Sequence, residues 1–314
     1  MDGEPRMTPH CIAIGPFSDD ESRALLDELS ARHVPDFDAV DTPEGITAIA
    51  FKGHAPFGGA QMDRFPDLGL IANFGVGYDA IDVGAAQARG IAVTNTPDVL
   101  NDDVADLALA LTLAQFRRLA EGDRWVRSGL WKDGAMPLAR QMSGRKVGIL
   151  GLGRVGREIA NRFAAFKCPV HYWSRAPKDT PGWTHHATPQ TLAQAVDILV
   201  VAVVGGDDTK HIVDARMLEA LGQGGVLVNV ARGSCVDEAA LLRALEQQTI
   251  AGAALDVFEH EPTPGAPFAQ LETVALYPHG GSATAETRAA MARLQRDNIR
   301  AFLQGAQLRT PVTG

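Results

Sequence analysis

Apolar positions along this chain keep two rhythms. Short apolar runs, too brief for helices, alternate with longer stretches whose apolar residues recur at every third or fourth position. In the first third, "CIAIGPF", "TAIAFKG", "LIANFG" and "IAVTN" read as strands, with helical stretches such as "ESRALLDELSAR" between them. A second series follows: "KVGILG", "PVHYWS", "DILVVAV", "GGVLVNVA", "IAGAALDV" and "TVALYPH". This alternation is the mark of βαβ units, so the predicted class is α/β with two doubly wound, mainly parallel sheets.

Between the two series, "VLNDDVADLALALTLAQFRRLAEGDRWV" keeps helical spacing through Val104, Leu107, Ala108, Leu111 and Leu113–Ala114, and predicts one long helix able to bridge two domains. The tail from Thr284 to Leu303 is also helical and is placed to pack back on the first domain.

A length of 314 residues favours two domains, and 46% hydrophobic with 21% charged residues supplies a core and disfavours disorder. The net charge of -9 leaves no general basic field, which argues against a nucleic-acid partner. Cys11, Cys168 and Cys235 are widely spaced and lie in no CxxC or CxxH pattern, so neither a structural metal nor a disulfide framework is expected. "MDGEPRMTPH" has no apolar signal core and no run of about 18 apolar residues occurs, which predicts a cytoplasmic protein with no membrane span. The block before Met7 reads as a leader or an alternative start.

Chemistry enters at "KVGILGLGRVGREIANRF", where Gly151, Gly153 and Gly156 form G-x-G-x-x-G between a strand pattern and a helix pattern. Gly151 permits the tight turn, Gly153 lets the backbone approach a pyrophosphate, and Gly156 lets the helix pack on the sheet. Arg154 and Val155 occupy the first helical turn, where free N–H groups and the helix dipole favour an anion. About 20 residues further on, NAD sites usually place an acid against the ribose 2′-hydroxyl. This chain has Trp173-Ser174-Arg175 instead. A hydroxyl and a guanidinium can donate to a 2′-phosphate, so NADPH/NADP is expected in preference to NADH/NAD, with Lys178 in support. A solvated Arg at a strand end is the plain alternative.

Arg232, Glu261 and His279 each stand at or just beyond the C-terminal end of a strand pattern, where open α/β sheets bind ligands. Together they suit reduction of a 2-keto acid. Arg232 would clamp the carboxylate and polarise the keto oxygen, His279 would give that oxygen a proton, and Glu261 would orient the imidazole and stabilise its charged form. Taken singly, each also reads as a cap neighbour, a loop charge or a satisfied turn residue.

"NFGVGYDAID", "TNTPDVLNDDVADLALAL", "GILGLGRVGREIA", "NVARGSCVDEAAL", "GAALDVFEHEP" and "PHGGSAT" together resemble the D-isomer-specific 2-hydroxyacid dehydrogenases over essentially the whole chain. Trp-Ser-Arg is most similar to the NADPH-using glyoxylate/hydroxypyruvate reductases within that family. The resemblance implies two Rossmann-like domains with a cleft between them: a substrate-binding, flavodoxin-like domain of residues 1–99 and 284–314, and a dinucleotide-binding domain of residues 100–283. It implies a triad of Arg232, Glu261 and His279, with Asp256 and the backbone of Val230 holding the nicotinamide carboxamide. It also places the N–H groups of Val76 and Gly77 and the side chain of Ser282 on a small 2-keto or 2-hydroxy acid. A homodimer is implied as well, with "EGDRWVRSGLWKDG" as its arm and Trp125 and Trp131 as partner contacts. Two departures stand out: "VVGGDDT" where relatives have "CPG" or "PLT", and Asn101 where Thr is common. The alternatives are an NAD-dependent 2-hydroxyacid or 3-phosphoglycerate dehydrogenase and, in another class, a dinucleotide-sensing co-repressor without turnover.

Overall fold

Strands buried on both faces dominate the computed structural model, which describes residues 10–263 and 267–312. The segment before Met7 lies outside the described residues. The chain divides into two compact units, one spanning residues up to Val99 and from Thr284 onward, the other Leu100–Ala283.

The first unit carries β1 (Cys11–Ile14), α1 (Asp19–Leu29), β2 (Arg32–Val34), β3 (Ala48–Phe51), α2 (Gly59–Met62), β4 (Leu70–Asn73), α3 (Val83–Ala88) and β5 (Ala92–Thr94). The second carries α4 (Asn101–Arg117), α5 (Leu119–Arg127), β6 (Val147–Leu150), α6 (Arg154–Ala165), β7 (Val170–Trp173), β8 (Thr184–His186), α7 (Pro189–Ala195), β9 (Ile198–Val201), α8 (Ala215–Leu221), β10 (Val226–Asn229), α9 (Glu238–Glu246), β11 (Gly252–Leu255) and β12 (Val274–Leu276). Helix α10 (Ala285–Leu303) belongs to the first unit.

In the first unit the sheet order is β2-β1-β3-β4-β5, all parallel. All four residues of β1, β3 and β4 are buried, as expected of strands covered on both faces. Helix α1 starts at a reciprocal cap: Ser18 Oγ accepts from the Glu21 N–H at 3.3 Å and Glu21 Oε2 accepts from the Ser18 N–H at 2.7 Å. Helix α10 packs on β3 and β4. Its buried Gln295 donates through Nε2 to Phe51 O at 3.2 Å and Ala72 O at 2.8 Å.

In the second unit the order is β12-β11-β10-β9-β6-β7-β8, again all parallel. From β6 the chain runs outward through β7 to the edge at β8, then returns to the other side of β6 as β9. That reversal makes a switch point, where side-by-side loops diverge and leave room for a ligand. Helix α6 buries Gly156, Ile159, Ala160 and Phe163, a single face at helical spacing. Burying Ile159 and Phe163 stabilises the unit by about 2–3 kcal/mol each.

Two short strands and one break depart from the sequence pattern. Strand β2 buries only Val34, and edge strand β8 buries none of its residues fully, so neither shows an apolar run. The predicted long helix divides at Arg118, which takes φ +52° between α4 and α5 and pairs with Glu121. A non-glycine residue in that left-handed region ends the helical hydrogen bonding even where apolar spacing continues.

Candidate active site

Because the second sheet is parallel throughout, the chain leaves every strand at the same edge. Gly151 follows β6, Ser174 follows β7, Ala202 follows β9, Val230 follows β10, Asp256 follows β11, and His279 stands three residues beyond β12. Topology alone therefore lines up residues far apart in sequence.

At the glycine turn, Gly151 takes φ +104°, and a Cβ there would lie 2.8 Å from the Ala202 backbone. A Cβ on Gly156 would lie 2.0 Å from Gly151 O, whereas one on Gly153 would meet nothing within 4 Å. Two glycines thus serve close packing and the third leaves open the space that a pyrophosphate needs. Arg154 is exposed and Val155 half-buried in the first turn of α6. The Gly151 N–H donates to Trp173 O at 3.0 Å, which sets the turn beside the Ser174 corner. Arg175 is exposed and makes no hydrogen bond or ion pair among the described residues. Ser174 Oγ donates to Ala176 O at 2.6 Å, so its proton must turn away from that carbonyl to reach a phosphate oxygen. These groups fit a dinucleotide, and no carboxylate occupies the end of β7.

The dyad lies beyond β11 and β12. His279 Nδ1 and Glu261 Oε2 are 2.5 Å apart. The other oxygen, Glu261 Oε1, accepts from the Phe258 N–H at 2.7 Å, which fixes the carboxylate plane. His279 sits at φ +47°, and its N–H donates to Asp256 O at 2.7 Å. Asp256 is buried and accepts from Gly280 N–H at 2.7 Å and Gly281 N–H at 2.9 Å. Burial pushes its carboxyl above the ordinary range, against those two N–H groups and the His279 charge. Its first task in this structure is thus to hold the turn that carries His279, and each oxygen keeps a further lone pair. Ser282 is half-buried in the same turn, and Val230 is buried directly after β10.

Arg232 is positioned by its own turn. Asn229 Oδ1 accepts from Ala231 N–H at 3.1 Å, and Asn229 Nδ2 donates to Arg232 O at 2.9 Å. The guanidinium Nη1 donates to Ala231 O at 2.8 Å. A Cβ on Gly233 would lie 1.9 Å from the Phe258 carbonyl carbon, so glycine there lets the Arg232 turn press against the loop leading to Glu261. Gly205, in the divergent "VVGGDDT", leaves room for the Arg232 stem: a Cβ there would lie 2.7 Å from Arg232 Cγ.

In the first unit, Gly75–Gly77 follow β4. Asn73 Nδ2 donates to Gly75 O at 3.2 Å and Gly77 O at 2.8 Å, Asn95 Nδ2 donates to Val76 O at 2.9 Å, and Thr96 N–H donates to Gly75 O at 2.9 Å. All three carbonyls are thereby occupied. The Val76 and Gly77 N–H groups have no partner among the described residues, an arrangement that suits an anion.

Residues 109–281 match the NAD-binding domain of the D-isomer specific 2-hydroxyacid dehydrogenases. The chain belongs to that family. It is 48% identical over 267 residues to glyoxylate/hydroxypyruvate reductase A of Arabidopsis thaliana, covering 85% of each chain. It is 45% identical over 269 residues to the hydroxyphenylpyruvate reductase of Plectranthus scutellarioides, covering 86% of each. Among solved structures, it is similar to the NADPH-dependent glyoxylate/hydroxypyruvate reductase of Sinorhizobium meliloti in complex with NADP and malonate, with a TM-score of 0.92, 42% identity, and 98% of this chain and 97% of that one covered.

In this 2-hydroxyacid dehydrogenase, the polar residues missed from sequence are those that hold others in place: Asn229 under Arg232, and Asn73 and Asn95 under the Val76–Gly77 turn. An Asn closing a strand before a glycine-containing turn is the signal that was available, as in "LIANFG" and "LVNVARG". No helix among the described residues is long and apolar enough to cross a membrane, and all three cysteines are free and buried.

Proposed function

We propose that this 2-hydroxyacid dehydrogenase reduces short 2-keto acids, glyoxylate and hydroxypyruvate, with NADPH as the preferred reductant. The observation that carries the reading is the His279–Glu261 pair at 2.5 Å. Glu261 engages Nδ1, so proton donation to substrate runs through the other ring nitrogen, Nε2. Arg232 draws electron density from the keto oxygen and balances the charge that develops on it. His279 gives that oxygen its proton, and Glu261 stabilises the imidazolium beforehand and holds the neutral ring in place afterwards. The glycine turn would hold the pyrophosphate of a reduced dinucleotide, Val230 and Asp256 would hold its carboxamide, and the cofactor would supply the hydride for the keto carbon. The product is the D-hydroxy acid where it is chiral. The Val76 and Gly77 N–H groups suit a carboxylate, and Ser282 is assigned to the substrate.

NADPH preference is supported by Ser174 and by Arg175, unpaired among the described residues, just beyond β7, and by the NADP complex of the Sinorhizobium relative. A homodimer is supported by the segment 119–138, which exposes Leu119, Val126, Leu130, Trp131 and Leu138. Trp125 is tied within that segment, donating to Gly134 O at 3.3 Å.

The 45% identity to a hydroxyphenylpyruvate reductase favours a second reading, in which the preferred keto acid carries an aryl side chain. A steady-state panel of glyoxylate, hydroxypyruvate and hydroxyphenylpyruvate with NADPH and NADH tests both. Rapid loss of nicotinamide absorbance with the small acids is expected. Tight dinucleotide binding without turnover on any 2-keto acid would replace the enzyme with a sensor.

A further inference from the structure

We infer that Tyr172 and His185 are positioning residues for cofactor choice: together they hold the Ser174–Lys178 corner in the shape that presents Arg175 to a 2′-phosphate. The inference rests on the NADPH reading above and adds the residues that enforce it.

The corner is a surface loop, and Arg175 on it is exposed and unpaired among the described residues. An arginine on a mobile loop loses rotamer and backbone freedom when it grips a phosphate, and that cost weakens the discrimination it offers. Here the loop is tied from beneath. Tyr172 is buried, 2% exposed, in β7, yet its hydroxyl bonds twice to one residue across the corner. It accepts from the Lys178 N–H at 2.9 Å and donates to Lys178 O at 3.2 Å. This closes the loop at its far end. At the near end, His185 Nε2 lies 3.3 Å from Ser174 O, a bond that requires the proton on Nε2. The two ties brace each other, because the His185 ring packs on the Tyr172 ring at a centroid distance of 5.1 Å and a 51° tilt. A third comes from the cofactor helix itself: Arg157 Nη2, in α6, donates to Asp179 O at 2.8 Å. The pyrophosphate-facing helix and the loop bearing Arg175 are thereby linked within one unit.

None of these side chains needs to touch the cofactor. Their effect passes through Arg175, which predicts a pattern that general loss of stability does not produce. Tyr172→Phe and His185→Phe keep both rings and their packing while removing the hydrogen bonds. Each is expected to raise the KM for NADPH by about threefold to tenfold, the worth of one ordinary hydrogen bond, and to leave kcat and the KM for NADH within about twofold. In an Arg175→Ala background, Tyr172→Phe should have no further effect on NADPH, because the charge it positions is gone.

The measurement is the ratio of kcat/KM for NADPH to that for NADH, taken with a thermal melt of each variant. If Arg175→Ala lowers the ratio but Tyr172→Phe and His185→Phe do not, or if they raise both KM values together, the positioning role is wrong and the NADPH reading survives. If Arg175→Ala leaves the ratio unchanged, the NADPH reading itself fails and this inference fails with it. Should Tyr172→Phe not fold, His185→Phe alone decides the matter.

Discussion

Glu261 meets the His279 ring at Nδ1, 2.5 Å away, while its second carboxylate oxygen is taken by the Phe258 N–H. The carboxylate cannot swing to another partner without abandoning a backbone donor. Removing the acid while keeping its shape, as His279→Asn, should lower kcat for glyoxylate by about 10²–10⁴-fold with little change in NADPH affinity. Glu261→Gln should lower kcat as well, because the ring loses the charged partner that holds Nδ1. Steady-state kinetics with fluorescence titration of NADPH checks both; undiminished turnover in His279→Asn removes it as the donor.

The glycine turn offers a test that is independent of chemistry. Gly156→Ala sets a methyl group 2.0 Å from Gly151 O, so α6 must back away from the sheet. Strained insertion of this kind costs about 1–3 kcal/mol, and here NADPH affinity should fall with it because the helix N-terminus moves. Gly153→Ala meets nothing within 4 Å and should melt near the parent temperature while still weakening the cofactor. Thermal melts with and without NADPH separate the two variants.

Acid sensitivity is written into β7 and β8. His171 Nδ1 and His186 Nε2 lie 2.9 Å apart, and burial together with the neighbouring ring holds His171 below the ordinary histidine range. His186 is lowered too, by burial and by His185. The unfolded chain takes up protons at these positions before the folded one does. Stability is therefore whole above the ordinary histidine range near pH 6.5 and falls as pH drops through it. His171→Gln should flatten that slope, read as the melting temperature from pH 7.5 to pH 5.

A carboxylate gives the converse case. Burial works against the Glu21 charge, but Lys52 at 2.7 Å and the Ser18 N–H prevail and hold its pKa below the ordinary value. The pair contributes fully above the ordinary glutamate range and is lost as pH falls through the lowered value. Glu21→Gln should cost about 1–2 kcal/mol at pH 7 and progressively less on acidification, seen as converging denaturation midpoints of parent and variant.

Both sheets were legible in the sequence because parallel strands are buried on both faces, so β1, β3, β6 and β9 read as apolar runs without a polar break, and β4 and β10 as apolar runs closed by an Asn. Strands β2 and β8 were not legible, since an edge strand needs no such run. The dyad residues could be picked out as polar groups at strand ends. Their support could not: the fit of Gly233 against Phe258, or of Gly205 against Arg232, is a closeness between segments that no local pattern records. Tyr172 was hidden for the same reason, since a strand aromatic gives no sign that its hydroxyl ties down a loop.

Gln295 gives the chain a particular order of assembly. The carbonyls it caps in β3 and β4 emerge from the ribosome more than two hundred residues before it does. The whole of Leu100–Ala283 is synthesised in that interval and can reach its own fold first. The unit begun earliest is finished last, and a chain stalled near Ala283 would leave two strand ends waiting for their amide.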